Sequence, residues 1–196
     1  MWGSMILEKG DHSLFWEPPG HNHHPSPPTL IEGISGFIGG FVVVMLLRYG
    51  NHMTNFLWFI PPFAASAMVS FEYWRSPIAQ PKNIIGGHVL SSFVGLLAVR
   101  ILGTAPYSLG LAVGTSIFLM TVLRFSHAPA SSDPIIVMVN HASWMFLLTP
   151  VFAGAVTVAA FALFYNRYIR RKPYPVYWWD VKKPEGHPSG RKQVIR

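Results

Sequence analysis

The stretch PPFAASAMVSFEYWRSPIAQPKNIIGGH, residues 61–88, decides the fold. It begins inside an apolar segment of about Asn55 to Tyr73, which Pro61 and Pro62 interrupt. Proline removes a backbone donor and disfavours helical geometry in the residue before it. Hydrocarbon cannot satisfy the groups so freed, so such a break must lie within protein or line a wet cavity. The segment therefore reads as a short lead-in followed by a half-helix starting near Pro62. A polar hinge, RSPIAQPKN, then leads into a third apolar segment of about Ile84 to Leu102.

Composition supports a membrane setting. The chain has 196 residues, 51% hydrophobic and only 12% charged, about half the charged share usual in soluble domains. Residues 30–166 hold eight charged residues, whereas the last thirty hold eleven. The organisation that follows is three-part: a Pro/His/aromatic tail over 1–29, a helical membrane domain over 30–166, and a basic aromatic tail over 167–196. The net charge of +7 comes from basic residues just after the last apolar segment. There they read as an anchor on a cytoplasmic face, with the lipid bilayer as partner and no nucleic acid. The expected location is a bacterial inner membrane or an organellar membrane, with the C-terminal tail cytoplasmic. Cysteine is absent, which excludes disulfides, thiolate metal sites and a cysteine nucleophile. The first residues lack a basic region followed by an apolar run, so the first membrane helix is expected to direct insertion.

The other segments fit an all-α integral membrane protein with about four to five transmembrane helices. The first runs from about Leu30 to Arg48, the fourth from about Tyr107 to Leu123, and the last from about Ser143 to Tyr165. Gly36 and Gly40, and again Gly110 and Gly114, form GxxxG faces. These predict close helix contacts inside the fold, or self-association and contact with other membrane subunits. Glu32, Arg48, Arg100 and Arg124 lie near helix ends, where they cap helices or reach the interface. A second interrupted stretch, HAPASSDPIIVMVNH at 127–141, is too short to span alone. Both halves of the chain thus run from a GxxxG helix to a proline-led stretch of small residues, near Pro61-Pro62 and near Pro129–Pro134. Paired interrupted segments of this kind suggest an internal repeat and point to a transporter binding site.

The opening stretch resembles the hallmark segment of HPP-family integral membrane proteins. Ser76-Pro77, Ala79-Gln80-Pro81, Asn83 and Ile85-Gly86-Gly87-His88 carry the likeness, and it extends over about residues 56–166. The name-giving motif falls at His127-Ala128-Pro129, with Ala128 in place of the second proline. Ala64 stands where the family pattern has glycine, Ser131 or Ser132 likewise, and Asp133 lies near a threonine position. The resemblance implies a four-helix membrane protein, and some members of that family are implicated in nitrite transport.

The residues themselves allow an anion path. Two half-helix starts would offer free N–H groups and positive dipole ends. Ala64, Ala65 and Ser66 would line one, and Ser131, Ser132 and Asp133 the other. Asn83, Gly86, Gly87 and His88 would join them from the hinge side. His88 or His127 would serve as a proton-sensitive gate. Capped half-helices with no ligand are the purely structural alternative. His88, His127 and Asp133 could also form a metal set, and His21, His23 and His24 are weak metal candidates; neither is adopted, and no cofactor is expected. No catalytic motif spacing is visible, so the chain is not read as an enzyme. The expectation is a small-solute transporter or channel, with nitrite the first candidate. The alternative is an accessory subunit of a larger membrane complex, docked through its Trp- and Pro-rich tails.

Overall fold

The computed structural model describes residues 29–176, whose regular structure is all helical, with no strand among them. The N-terminal tail, with His21, His23 and His24, and residues 177–196 lie outside the described residues. Helix α1 spans Leu30–Thr54, α2 Pro62–Glu72, α3 Pro81–Leu102, α4 Pro106–Val122, α5 Asp133–Val139 and α6 Ala153–Phe164. Three helical stretches are long and apolar enough to cross a membrane: Leu30–Thr54, Pro81–Leu102 and Leu147–Ile169. Helix α4 has 17 residues, the lower limit of a span. Against the expected four to five transmembrane helices stand three long apolar stretches and this shorter apolar helix.

Local chemistry sets the boundaries. Thr29 and Glu32 form a capping box, in which the Thr29 hydroxyl accepts from the Glu32 N–H and the Glu32 carboxylate accepts from the Thr29 N–H. Asn55 ends α1 in the left-handed region at φ 56°. The Trp58 N–H then donates to Asn51 Oδ1 at 2.5 Å, and the indole N–H to Thr54 at 2.9 Å. These bonds fold the lead-in back on α1 and aim Pro62 inward. Helices α2, α3, α4 and α5 all carry proline in their first turn, where its missing donor costs nothing. The single helix expected over Ser143–Tyr165 is broken at Thr149, whose φ −133° and ψ 125° are extended, immediately before Pro150.

Helix α3 is the centre of the bundle, packed against α4, α5 and α6. The main core joins Val43 and Leu47 of α1, Phe63 and Phe71 of α2, Ile84 of α3 and Val158 of α6. A longer helix, a short proline-led piece and a second longer helical stretch follow one another twice along the chain, at α1–α2–α3 and at α4, α5 and Leu147–Ile169. The glycine faces differ, however. In the first half, an added Cβ at Gly36 would lie 2.5 Å from Glu72 Oε1, and one at Gly39 would lie 2.9 Å from the Phe71 ring, while Gly40 meets nothing. The close contact between α1 and α2 thus uses Gly36 and Gly39, not the Gly36–Gly40 pair. Among the described residues, an added Cβ at Gly110 or Gly114 would have nothing within 4 Å, so neither makes a close helix contact there.

The segment after α6 closes the fold over the hinge. Asn166 Nδ2 donates to the Ser70 carbonyl at 2.9 Å, and the Arg170 guanidinium donates to that of Phe71. Both carbonyls belong to the last turn of α2, which would otherwise lack partners. Tyr174 donates its hydroxyl to Ala79 O at 2.5 Å, and the Val176 N–H donates to Gln80 Oε1 at 2.8 Å. Burial pushes the Tyr174 phenol above its ordinary pKa, which keeps it a donor.

Gly154 is the tightest glycine, since an added Cβ would collide with Phe63 Cε2 and lie 2.6 Å from the Trp58 carbonyl. Gly154→Ala is expected to destabilise the fold by about 1–3 kcal/mol. Gly110→Ala should leave the unfolding midpoint in detergent unchanged or slightly raised. Equal midpoints for the two variants would contradict this packing.

Candidate functional site

Four helical pieces bring polar side chains to one fully enclosed point. Ser66 comes from the second turn of α2, and His88 from the second turn of α3. His127 immediately precedes the 3-10 turn Ala128–Ser132, and Asp133 opens α5. Each of the four is at most 1% exposed. In hydrocarbon or in a dry protein interior such groups persist only when they satisfy one another.

They form a continuous chain. Ser66 Oγ lies 2.8 Å from His88 Nε2 and 2.8 Å from His127 Nε2. His88 Nδ1 is 2.7 Å from Asp133 Oδ2, which also accepts the Ser92 hydroxyl at 3.2 Å. At the far end His127 Nδ1 donates to the Ile78 carbonyl at 2.6 Å. The two imidazoles meet edge-on at 5.0 Å, and the Phe63 ring closes one side of His88 at 4.8 Å. Ser66, His88 and Asp133 stand in a Ser–His–Asp order that sequence spacing does not display, because 22 and 45 residues separate the bonded pairs.

The backbone around the chain is built for close approach. An added Cβ at Gly87 would meet His127 Cβ at 2.7 Å and the Phe125 carbonyl at 3.0 Å, and one at Gly86 would meet the Phe125 ring at 2.5 Å. These glycines seat the loop that carries His127. Two helical turns further, a Cβ at Gly95 would meet Pro134 Cα at 2.8 Å, so Gly95 seats the start of α5. Between them Ser91 donates to Ala130 O at 2.6 Å and fixes the 3-10 turn.

The remaining residues expected at the site lie elsewhere or are occupied locally. Ala64 and Ala65 are exposed, and Ala64 lines a groove between α1 and α2. Asn83 donates to Pro77 O at 2.9 Å and holds the hinge. The Ser131 and Ser132 hydroxyls donate to the carbonyls of Ala128 and Pro129. Nor does a free N–H cradle form at Pro62, where the Phe63 and Ala64 amides donate to the carbonyls of Ile60 and Pro61 at 3.0 Å. The Ala130 amide is likewise taken by His127 O. Among the described residues no group of three His, Cys, Asp or Glu side chains is arranged to hold a metal ion. Ser91, Ser92 and the Ile78 carbonyl are the functional partners that the sequence reading missed. Positions 88, 91, 92 and 95 share one helical face, which was the available signal.

A family model described as HPP, transmembrane region, matches residues 25–175. The chain belongs to the HPP transmembrane family. It is also similar to two curated transmembrane proteins of Dictyostelium discoideum. One is 33% identical over 177 residues, 84% of this chain and 62% of the relative. The other is 32% identical over 154 residues, 74% of this chain and 50% of the relative. The chain thus spans half to somewhat under two thirds of these relatives' length. No solved structure matches it. Within this HPP chain, the histidine of the name-giving motif is His127, the link between Ser66 and the hinge carbonyl of Ile78.

Ser66→Ala would leave two buried imidazole nitrogens without their shared partner, at a cost of about 1–3 kcal/mol. Ser132→Ala removes only a local bond and should stay within about 0.5 kcal/mol of the parent. Thermal unfolding in detergent checks the pair, and a Ser132→Ala loss as large as that of Ser66→Ala would contradict the assignment.

Proposed function

We infer that the protein is a small-solute membrane transporter whose transport site is the Ser66–His88–His127–Asp133 cluster, with nitrite the first candidate solute. The observation that carries this reading is the enclosed chain itself. Two imidazoles, a hydroxyl and a carboxylate meet where two proline-interrupted pieces converge on a central helix, and ionisable groups inside a membrane domain are costly and mark solute or proton paths.

A basic mouth supports an anionic solute. Arg167, Arg171 and Lys172, with Pro173, Tyr174 and Pro175, line a depression of about 510 Å³ at the end of the last helix. Clustered cations raise the local concentration of anions. The mouth is tied to the site through the hinge, since Tyr174 bonds Ala79 O and the neighbouring Ile78 O accepts from His127. The same cations favour a cytoplasmic C-terminus.

The Ser66 oxygen has three neighbours, the two Nε2 atoms and the Pro62 carbonyl at 3.1 Å. Its single hydrogen is shared among these partners, so the hydroxyl is committed within the cluster.

Nitrite uptake into proteoliposomes tests the reading against protein-free vesicles. Ser66→Ala and His88→Asn are each expected to lower the protein-dependent rate by about tenfold or more, the equivalent of about 1.4 kcal/mol in the barrier. Ser132→Ala should retain it. Absence of protein-dependent flux from folded, inserted chain would sink nitrite as the solute.

A further inference from the structure

The hydrogen positions of the cluster follow from its two ends. Ile78 offers only a carbonyl, so His127 Nδ1 carries hydrogen and its Nε2 is free to accept. At the other end Asp133 Oδ2 accepts from Ser92 and faces His88 Nδ1. Suppose Asp133 is ionised and both imidazoles are neutral. Both Nε2 atoms are then bare acceptors at 2.8 Å from Ser66 Oγ, and the hydroxyl has one hydrogen for two of them. One contact would set a nitrogen lone pair against an oxygen lone pair. That state also buries a net negative charge, with Asp133 Oδ1 lacking any partner.

One added proton repairs both faults. His88 Nε2–H then donates to Ser66 Oγ, and Ser66 donates to His127 Nε2. The cluster becomes net neutral, and each link of the Asp133–His88–Ser66–His127 chain has one hydrogen. This holds whether the proton at the acid end sits on His88 Nδ1 or on Asp133 Oδ2. A second added proton would also complete the bonds, with Ser66 turned toward the Pro62 carbonyl, but it leaves a net positive charge in the same enclosed site.

We propose that the Asp133–His88–Ser66–His127 chain is a proton-binding relay, which holds one proton on the Asp133–His88 pair and passes it through the Ser66 hydroxyl to His127, so that solute movement at this site is proton-coupled. In the transfer the His88 Nε2–H bond breaks as a new Ser66 O–H bond forms. The original Ser66 O–H bond breaks as a His127 Nε2–H bond forms. Ser66 ends neutral, and one positive charge has moved from the Asp133 side to the Ile78 side. The Pro62 carbonyl, at 3.1 Å, gives the hydroxyl a resting acceptor while it turns to reset. The coupling clause rests on the transport reading; the proton itself does not.

Nitrogen-15 NMR of histidine-labelled full chain in lipid nanodiscs at neutral pH tests the proton directly, with His88 and His127 assigned through the backbone of α3 and the 127–133 turn. The expected spectrum shows hydrogen on His88 Nε2, and His127 with hydrogen on Nδ1 and a bare, hydrogen-bonded Nε2. A bare His88 Nε2 in the unsubstituted chain overturns the relay, and that spectrum needs no variant to fold. A second arm separates this proposal from the transport reading. Protein-dependent nitrite uptake should respond to an imposed pH gradient after subtraction of protein-free vesicles. Uptake indifferent to the gradient overturns the coupling while leaving transport intact. A hydrogen on His88 Nε2 in a chain that carries no nitrite supports the relay and counts against the solute alone.

Discussion

A hydroxyl has one hydrogen to give, and Ser66 stands at hydrogen-bond distance from two imidazole nitrogens and a carbonyl. That constraint organises the protein. To bring two histidines to one serine, α3 must lie against both proline-led pieces at once, and the glycines at 86, 87 and 95 permit it. Ser91 and Ser92 then fix the turn and the carboxylate that hold the arrangement from the far side. The prolines near 61 and 129 do not create free anion-binding amides. They start the short helical pieces that enter the bundle and deliver Ser66 and Asp133.

The structure connects this buried chemistry to the surface through three consecutive residues. The Ile78 carbonyl accepts from His127, the Ala79 carbonyl from Tyr174 and the Gln80 side chain from Val176. The polar hinge is therefore the joint between the enclosed cluster and the basic end of the last helix. Movement of the segment after α6 would act on the hinge and through it on His127. In this HPP chain neighbouring hydrogen bonds on the hinge join the basic depression to the buried cluster.

Much of this was legible in the sequence. The membrane class, the interrupted helices at Pro62 and Pro129, and the family followed from charge distribution and from the SPIAQP–IGGH stretch. The starts expected near Pro62, Ile84 and Tyr107 lie within about three residues of those of α2, α3 and α4, whereas the half-helix expected near Pro129 begins as a 3-10 turn, with α5 following at Asp133. Ser66, His88, His127 and Asp133 could be named but not joined, since their bonds cross 22 to 61 residues of sequence. Ser131 and Ser132 misled because a serine beside a helix start reads as a ligand donor, whereas a 3-10 turn consumes its hydroxyl on a local carbonyl. The GxxxG pattern at Gly36 misled by one position, because the face that meets Phe71 passes through Gly39. The break at Thr149 was signalled only by Pro150, inside an otherwise uniform apolar run.

The central claim is that the enclosed Ser66 cluster lies on the solute path. The chain has no cysteine, so a single substitution, Ser66→Cys, reports that one position without background. In lipid vesicles a small, charged, membrane-impermeant thiol reagent should modify position 66 as the site opens to one side, and nitrite should slow that modification. Gly110→Cys, on the open face of α4, should show no such protection. A thiol at position 66 that stays unreactive from both sides of the membrane would contradict the account and return the cluster to a structural role.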